Sequence, residues 1–482
     1  MKTRIALALT ALCMAALSAC TTVGPDYRQP AEAVASQPVA GAPFAESNNA
    51  SFSSAPLPPH WWRLYHDARL DGLVQQALAH NTDLRQALAN LERERAEEAG
   101  VAGMQRPTIG IEGGPSYGHV SGASLLQSDY APRNDWYYSA SASLSYQLDL
   151  FGQIRRAIEA SKASGDAAQA ALDLARINVA AATTRAYADI CSTGLRLRSA
   201  DKSVQLQKEA LDISERLQQA GRVSALDATR SRAQLQQLNA AIPPLQARKQ
   251  AALYRLATLT GALPQDFPRD VASCETPPQV AGALPTGDGA ALIRRRPDIR
   301  QAERNLAAST ARIGVATADL YPHITLGLSA SSASLLNDFG GRDAFSWMGG
   351  PLISWTVPNT GAVQSRIAQA EASTRGALAR FDGTVLTALR ETETALNAYA
   401  RELDRHAALE AARDQSAIAA GQAQKLYQSG RTASLDALDA ERALATNEAA
   451  LAASDATLAD DQVVLFLALG GGWEQDALAS NP

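Results

Sequence analysis

Trp136-Tyr137-Tyr138-Ser139-Ala140-Ser141-Ala142-Ser143-Leu144-Ser145-Tyr146-Gln147-Leu148-Asp149 alternates, residue by residue, between apolar and polar side chains. Even positions carry Trp136, Tyr138, Ala140, Ala142, Leu144, Tyr146 and Leu148; odd positions carry Tyr137, four serines, Gln147 and Asp149. Successive side chains of an extended chain point to opposite faces, so this is a strand with one greasy and one polar face. Phe345, Trp347, Gly349, Pro351, Ile353, Trp355 and Val357 repeat the apolar half of the pattern further on. Aromatics sit near both ends of each stretch, as they do in strands whose apolar face meets lipid. A soluble hairpin packed on a core would also alternate. Strand length, the aromatic ends and the very long helical stretch after each hairpin favour the membrane.

These strands belong to a tandem duplication. Asp83-Leu84-Arg85-Gln86-Ala87 recurs as Asp298-Ile299-Arg300-Gln301-Ala302, and Pro107-Thr108-Ile109 as Pro322-His323-Ile324, both at an offset of 215. Beyond the hairpin the offset is 209: Gly152 matches Gly361, Gly221-Arg222 matches Gly430-Arg431, and Gly261 matches Gly470. Packed helices do not tolerate length changes, whereas exposed loops do. The shift therefore marks a loop between 107 and 152 that is longer in the first copy. The expected organisation is repeat 1 over 61–261, a linker over 262–290, and repeat 2 over 291–472. The hairpins fall at about 107–149 and 322–357, and a tail covers 473–482.

Two hairpins give four strands per chain. Four strands cannot close a barrel, and an open sheet edge in lipid leaves backbone groups unpaired. Membrane barrels begin at about eight strands, so several chains must share one. Long helices follow, over 153–220 and 362–429, both without proline and rich in Ala, Leu, Gln and Arg. About 67 residues at 1.5 Å each make a rod of roughly 100 Å. Shorter helices return from Leu226 to Gly261, interrupted at Pro243-Pro244, and from Leu435 to Leu469. Further helices are expected from Asp83 to Met104 and from Asp298 to Leu320.

Residues 1–19 combine Lys2 and Arg4, an apolar stretch and small residues before Cys20. That is a secretory signal, and its apolar stretch is too short to stay in a bilayer as a helix. Leu17-Ser18-Ala19-Cys20 reads as a lipobox, with diacylglycerol and an N-acyl chain expected on Cys20. Thr21 rather than Asp follows, which by analogy with lipoprotein sorting favours the outer membrane. Buried acyl chains contribute about 0.8 kcal/mol per CH₂. Residues 20–60 carry seven prolines and read as a lipid-anchored extended strap. Losing Lys2 and Arg4 takes the formal net charge from −5 to −7. An acidic chain argues against nucleic acid as a partner. Cys191 and Cys274 remain; in an oxidising compartment a disulfide and two separate thiols are both open.

The order of particular residues resembles a known family. Cys20-Thr21-Thr22-Val23-Gly24-Pro25-Asp26-Tyr27, Trp61-Trp62 with Asp67 and Leu70, Asn81-Thr82-Asp83-Leu84, and Arg295-Arg296-Pro297-Asp298-Ile299-Arg300-Gln301-Ala302-Glu303-Arg304 through Ile313-Gly314 to Tyr321-Pro322 carry the likeness. It is to the TolC-like outer membrane factors, in the lipoprotein (NodT) branch that serves resistance-nodulation-division pumps. The resemblance implies a mixed fold of helix and membrane strand. Three chains would share a 12-stranded outer-membrane β-barrel continuous with a periplasmic α-helical barrel. It also implies a periplasmic adaptor and an inner-membrane proton-driven pump as partners. The protein would be an exit duct gated at its periplasmic tip, without a cofactor or enzymatic step.

In the family the gate lies where long and short helices meet. Leu435, Asp436, Asp439 and Arg442 fall at the matching positions of the second turn. Three-fold symmetry would bring three copies of Asp439 together, a costly carboxylate ring, and Arg442 at i+3 can compensate it. Solvated helix charges are the plainer reading of the same residues. The first turn departs from the second, with Arg230 in the place of Asp439. Gly221, Arg222, Val223, Ser224, Gly430, Arg431, Thr432 and Ala433 are the expected adaptor contacts. They also fit ordinary turn chemistry, with Gly terminating and Ser or Thr capping.

Two other functions share parts of this pattern. A duct for a type I protein secretion system would have the same fold, and a periplasmic coiled-coil adaptor or scaffold would explain the helices but not the strands. Gly114-Pro115-Ser116-Tyr117-Gly118 fits G-x-S-x-G, but lies in a hairpin rather than in the strand-turn-helix that a catalytic serine needs. The six histidines show no metal-ligand spacing.

Overall fold

A computed structural model describes residues 22–119, 121, 133–355, 357 and 360–471. Cys20, the expected signal 1–19, the tail 473–482 and most of the first hairpin's connection lie outside the described residues. In chain order the elements are β1 (Phe52–Ser53), α1 (Ala68–His80), α2 (Thr82–Gly103), β2 (Thr108–Gly118), β3 (Asp135–Leu148), α3 (Gln153–Gln219), α4 (Ala225–Ala240), α5 (Ile242–Leu259), β4 (Leu284–Pro285), α6 (Gly289–Arg295), α7 (Pro297–Ala318), β5 (His323–Leu335), β6 (Phe345–Ser354), α8 (Thr360–Gln428) and α9 (Ser434–Ala468). Short 3-10 turns lie between some of them. The order helix, hairpin, long helix and return occurs twice, starting at α2 and at α7. Among the described residues no helix is long and apolar enough to cross a membrane.

The chain divides into two compact units. The first holds the described part of Met1–Gln29 with Glu92–Ala167 and Ala302–Arg380. Its centre is a four-stranded antiparallel sheet in the order β2-β3-β5-β6. Directly opposed residues share a face, so the register sorts the side chains of all four strands. Leu144 opposes Ile109 and Leu328, Ala142 opposes Ile111 and Ala330, and Ala330 opposes Trp347. Leu148 opposes Ile324, which opposes Ile353. One continuous apolar face results. The other carries Ser143 opposite Gly110 and Ser329, and Ser141 opposite Glu112 and Ser331. There the hydroxyls of Ser331 and Ser346 share a hydrogen bond of 2.8 Å. The second hairpin breaks the rule at Met348 and Leu352, which stand on the polar face of the edge strand.

Most of the apolar face is bare within one chain: Ile111 is 81% exposed, Trp347 72% and Ile353 64%, while at the loop end Phe339 covers Tyr138. Aromatics bracket it. Tyr117 and Trp136 lie 5.5 Å apart at the loop end. Phe151 stacks on Tyr321 at 4.5 Å where the sheet gives way to helices, and Trp355 donates there to the Leu320 carbonyl.

The second unit holds Pro30–Leu91, Ala168–Gln301 and the described part of Phe381–Pro482. Its core is aromatic. Trp61 is fully buried and stacks on Phe466 at 4.8 Å, with Trp62 and Tyr65 edge-on to it. Trp62 also donates to Asp71, and Tyr187 to Asp67. The same Asp67 caps α1 by accepting from the Arg69 and Leu70 amides. Pro243 and Pro244 fall in the first turn of α5 after a break at Ala241, where the missing amide donors leave no gap.

The strap departs from its expected extended form. It folds into 3-10 turns at Val34–Ser36 and Pro38–Gly41, and β1 pairs in parallel with β4 of the linker. Phe44, Phe52 and Leu57 are buried in the aromatic core. The amides of Val34 and Ala45 donate to Asp382 and Glu393 of α8. Apolar burial and carboxylate acceptors thus hold a segment whose prolines deny it a helix.

Candidate functional site

The two tips are built alike. Two residues past the end of α3 stands Gly221, with φ +69°, and two past the end of α8 stands Gly430, with φ +68°. Only glycine takes this left-handed turn without a side-chain penalty. The Arg222 amide reaches back to the Leu217 carbonyl, and the Arg431 amide to that of Leu426, each at 2.9 Å. These bonds satisfy carbonyls that the helix ends leave free. The next helices are capped differently. Ser224 donates through backbone and hydroxyl to Asp227, whereas Thr432 donates its hydroxyl to Asp436 at 2.6 Å. Gly221, Arg222, Ser224, Gly430, Arg431 and Ala433 are exposed, and Val223 and Thr432 half-buried.

Leu435, Asp436 and Asp439 are exposed on the first turns of α9. Arg442 lies 3.4 Å from Asp439, the pairing expected from their spacing. Its Nε also donates to Gln234 Oε1 on α4 at 2.8 Å. Asp436 instead accepts from Thr432. A small cavity of about 30 Å³ lies between the helices here, lined among others by Arg230, Ser231, Gln424, Tyr427 and Glu441. Burial pushes the Glu441 carboxyl above its ordinary range. Deeper in, Gln207 donates to the carbonyl and hydroxyl of Ser231, joining α3 to α4. Sequence reasoning missed Gln207 and Gln234, because nothing local distinguishes them from other helix-surface glutamines.

Further along the same unit, Cys191 of α3 and Cys274 are joined as a disulfide. A Cβ on Gly194 would sit 2.0 Å from the Cys274 carbonyl oxygen. Gly194 therefore lets the linker backbone lie directly on the long helix. The Arg295-Arg296-Pro297-Asp298 stretch holds the far end of α9. Arg295 donates to the Leu469 carbonyl, and the buried Arg296 donates to the Ala468 carbonyl, Asp298 and Glu391. Its side chain is 10% exposed.

In the first unit, Arg156 holds the chain just downstream of Cys20. Its guanidinium, 4% exposed, donates to the carbonyls of Val23 and Gly24 and to Asp26 and Glu159. Arg156 is legible in the sequence only as a departure from the repeat, where Ser365 takes its place. Among the described residues no group of three or more His, Cys, Asp or Glu is arranged to hold a metal ion.

The solved structures similar to this chain include outer-membrane channels. The chain is 35% identical to the outer-membrane channel OprN with a TM-score of 0.87, covering 94% of this chain and all of that one. Residues 73–262 and 290–471 match the family described as outer membrane efflux protein, and the chain belongs to that family. It is 30% identical over 469 residues to Nodulation protein T of Rhizobium leguminosarum bv. viciae, covering 96% of this chain and 93% of that protein. It is 27% identical to the toluene efflux pump outer membrane protein TtgC of Pseudomonas putida, covering 100% and 98%.

Proposed function

We propose that the protein is the outer-membrane exit duct of a tripartite, proton-driven efflux pump, formed by three chains and gated at its periplasmic tip. The observation that carries this reading is the largely bare apolar face of the four-stranded sheet, whose positions come from every strand. In lipid that face is satisfied and the polar face lines water. The outer edges of β2 and β6 require partners. Three copies of a four-stranded sheet supply a 12-stranded barrel, and the long helices supply the periplasmic helical barrel. The repeated element order supports descent from a tandem duplication.

In this reading Cys20 carries the acyl chains and acts as an auxiliary tether. Arg156 fixes the segment that follows it. The exposed tip turns meet the periplasmic adaptor, which connects to a resistance-nodulation-division pump. Leu435 narrows the tip, and three copies of Asp439, each restrained by Arg442, form its charged ring. Transport through the duct needs neither cofactor nor enzymatic step.

The membrane reading is tested with phospholipids brominated on their acyl chains. Trp347 fluorescence is expected to be quenched in such bilayers, and the quenched fraction to fall in Trp347→Phe. Equal emission in brominated and ordinary lipid, from folded protein, would refute the lipid-facing sheet.

A further inference from the structure

A cavity of about 340 Å³ opens in the second unit between α3, the α4–α5 break and α9. Its walls are mostly apolar, with Leu238, Pro244, Leu245 and Ala449 among them. Arg196 and Ser199 of α3 supply polar groups. Arg196 is half-buried, and no hydrogen bond or ion pair engages it among the described residues. Carboxylates on nearby elements are already engaged: Asp189 pairs with Arg248 and Arg255, Glu275 with Arg198, and Glu448 with Lys202. Burial, and then the charge of Arg248, push the Arg196 guanidinium below its ordinary range.

Arg248 has Asp189 as its counter-ion, whereas the half-buried Arg196 has none of its own, an arrangement that favours a bound anion. Apart from Arg196, the lining side chains are polar only at Ser199 and Ser203, and the Ser203 hydroxyl is turned back onto the Ser199 carbonyl. Charge at one end and apolar surface over the rest define the ligand. The volume lies in the range of small-molecule sites, about 300–1,000 Å³.

We propose that this cavity binds a small amphipathic anion, an aryl or fused-ring carboxylate or sulfonate. The acid group sits on Arg196 and the ring body lies against Leu238, Pro244, Leu245 and Ala449. A planar acid group accepts two parallel bonds from one guanidinium, which sets its orientation as well as its affinity. The site requires no opening of the tip and does not rest on the duct reading.

The test uses 2-naphthalenesulfonate, which has the required charge and shape, titrated calorimetrically into the full chain in an uncharged detergent. Saturable binding at one site per chain is expected, weakening as salt rises. Arg196→Gln should weaken it about tenfold or more, and the uncharged 2-naphthalenesulfonamide should bind the native protein correspondingly poorly. Leu238→Trp, which fills the cavity and leaves the charge in place, should abolish binding independently. Circular dichroism and oligomer size confirm that each variant is folded. Binding of native strength in Arg196→Gln or in Leu238→Trp would overturn the proposal. So would the absence of saturable binding to the native protein.

Discussion

Arg442 Nε donates to Gln234 Oε1 at 2.8 Å, joining the return helix of the second hairpin to that of the first. The Asp439–Arg442 pair beside it is solvent-exposed, with side chains 61% and 42% accessible. Exposed pairs contribute only about 0–1 kcal/mol. If the tip is the gate proposed above, its restraint is a set of weak bonds, suited to being released when another protein binds.

Arg442→Ala and Gln234→Ala should each loosen the tip without unfolding the protein. Cells carrying either variant should become severalfold more sensitive to a large hydrophilic antibiotic that the intact outer membrane excludes. The double variant should add little to Arg442→Ala, because that change already removes the Gln234 bond. Fully additive effects would show that the two side chains act separately.

Arg296→Ala should destabilise the protein far more than either tip substitution. It leaves Asp298, Glu391 and the Ala468 carbonyl without their shared donor. Asp298 and Glu391 are partly exposed and can be rehydrated, so the loss should be about 1–3 kcal/mol. Lower resistance to guanidinium is the expected readout. Arg296→Lys should recover only part of it, since an ammonium cannot serve three acceptors in a planar fork.

Asp461 borders the same cavity as Arg296 and Asp298. Burial, with help from Asp460 and Glu402, pushes its carboxyl up to about 6 from the ordinary 3.8. A folded-state value above the unfolded one means that ionisation costs stability. The cost is present above pH 6 and is relieved as pH falls from 6 toward 4. Asp461→Asn should therefore raise the unfolding temperature at pH 7.5 and change it little at pH 4. An equal gain at both pH values would show that charge is not the cause.

Cys191→Ala should lower stability by about 2–4 kcal/mol, the usual effect of a bridge that closes a long loop. The bridged cysteines are 83 residues apart. Reductant should destabilise the native protein to a similar degree and leave the variant unchanged.

The parts of this protein legible in its sequence are those with a local signal. Alternation over 136–149 marks a strand, and proline-free stretches after Gly152 and Gly361 mark the long helices. Glycines followed by capping residues mark the tips. Long-range contacts leave no such trace. β1 and β4 are two residues each, so their pairing has no period to read. The strap's burial depends on Phe44 and Phe52 finding a core supplied by Trp61, Phe466 and distant helices. At the tip, spacing alone foretells the Asp439–Arg442 pair. Gln234 enters only when folding sets α4 beside α9.

The proposed duct is one water-filled, lipid-spanning barrel shared between chains and closed at its tip by weak contacts. Single-channel conductance in planar lipid bilayers tests it most directly. Native oligomer is expected to insert and show small, mostly closed currents, and Arg442→Ala combined with Asp439→Ala to give larger, longer openings through the same assembly. A folded oligomer that inserts in the bilayer yet carries no current, native or doubly substituted, would rule out such a duct.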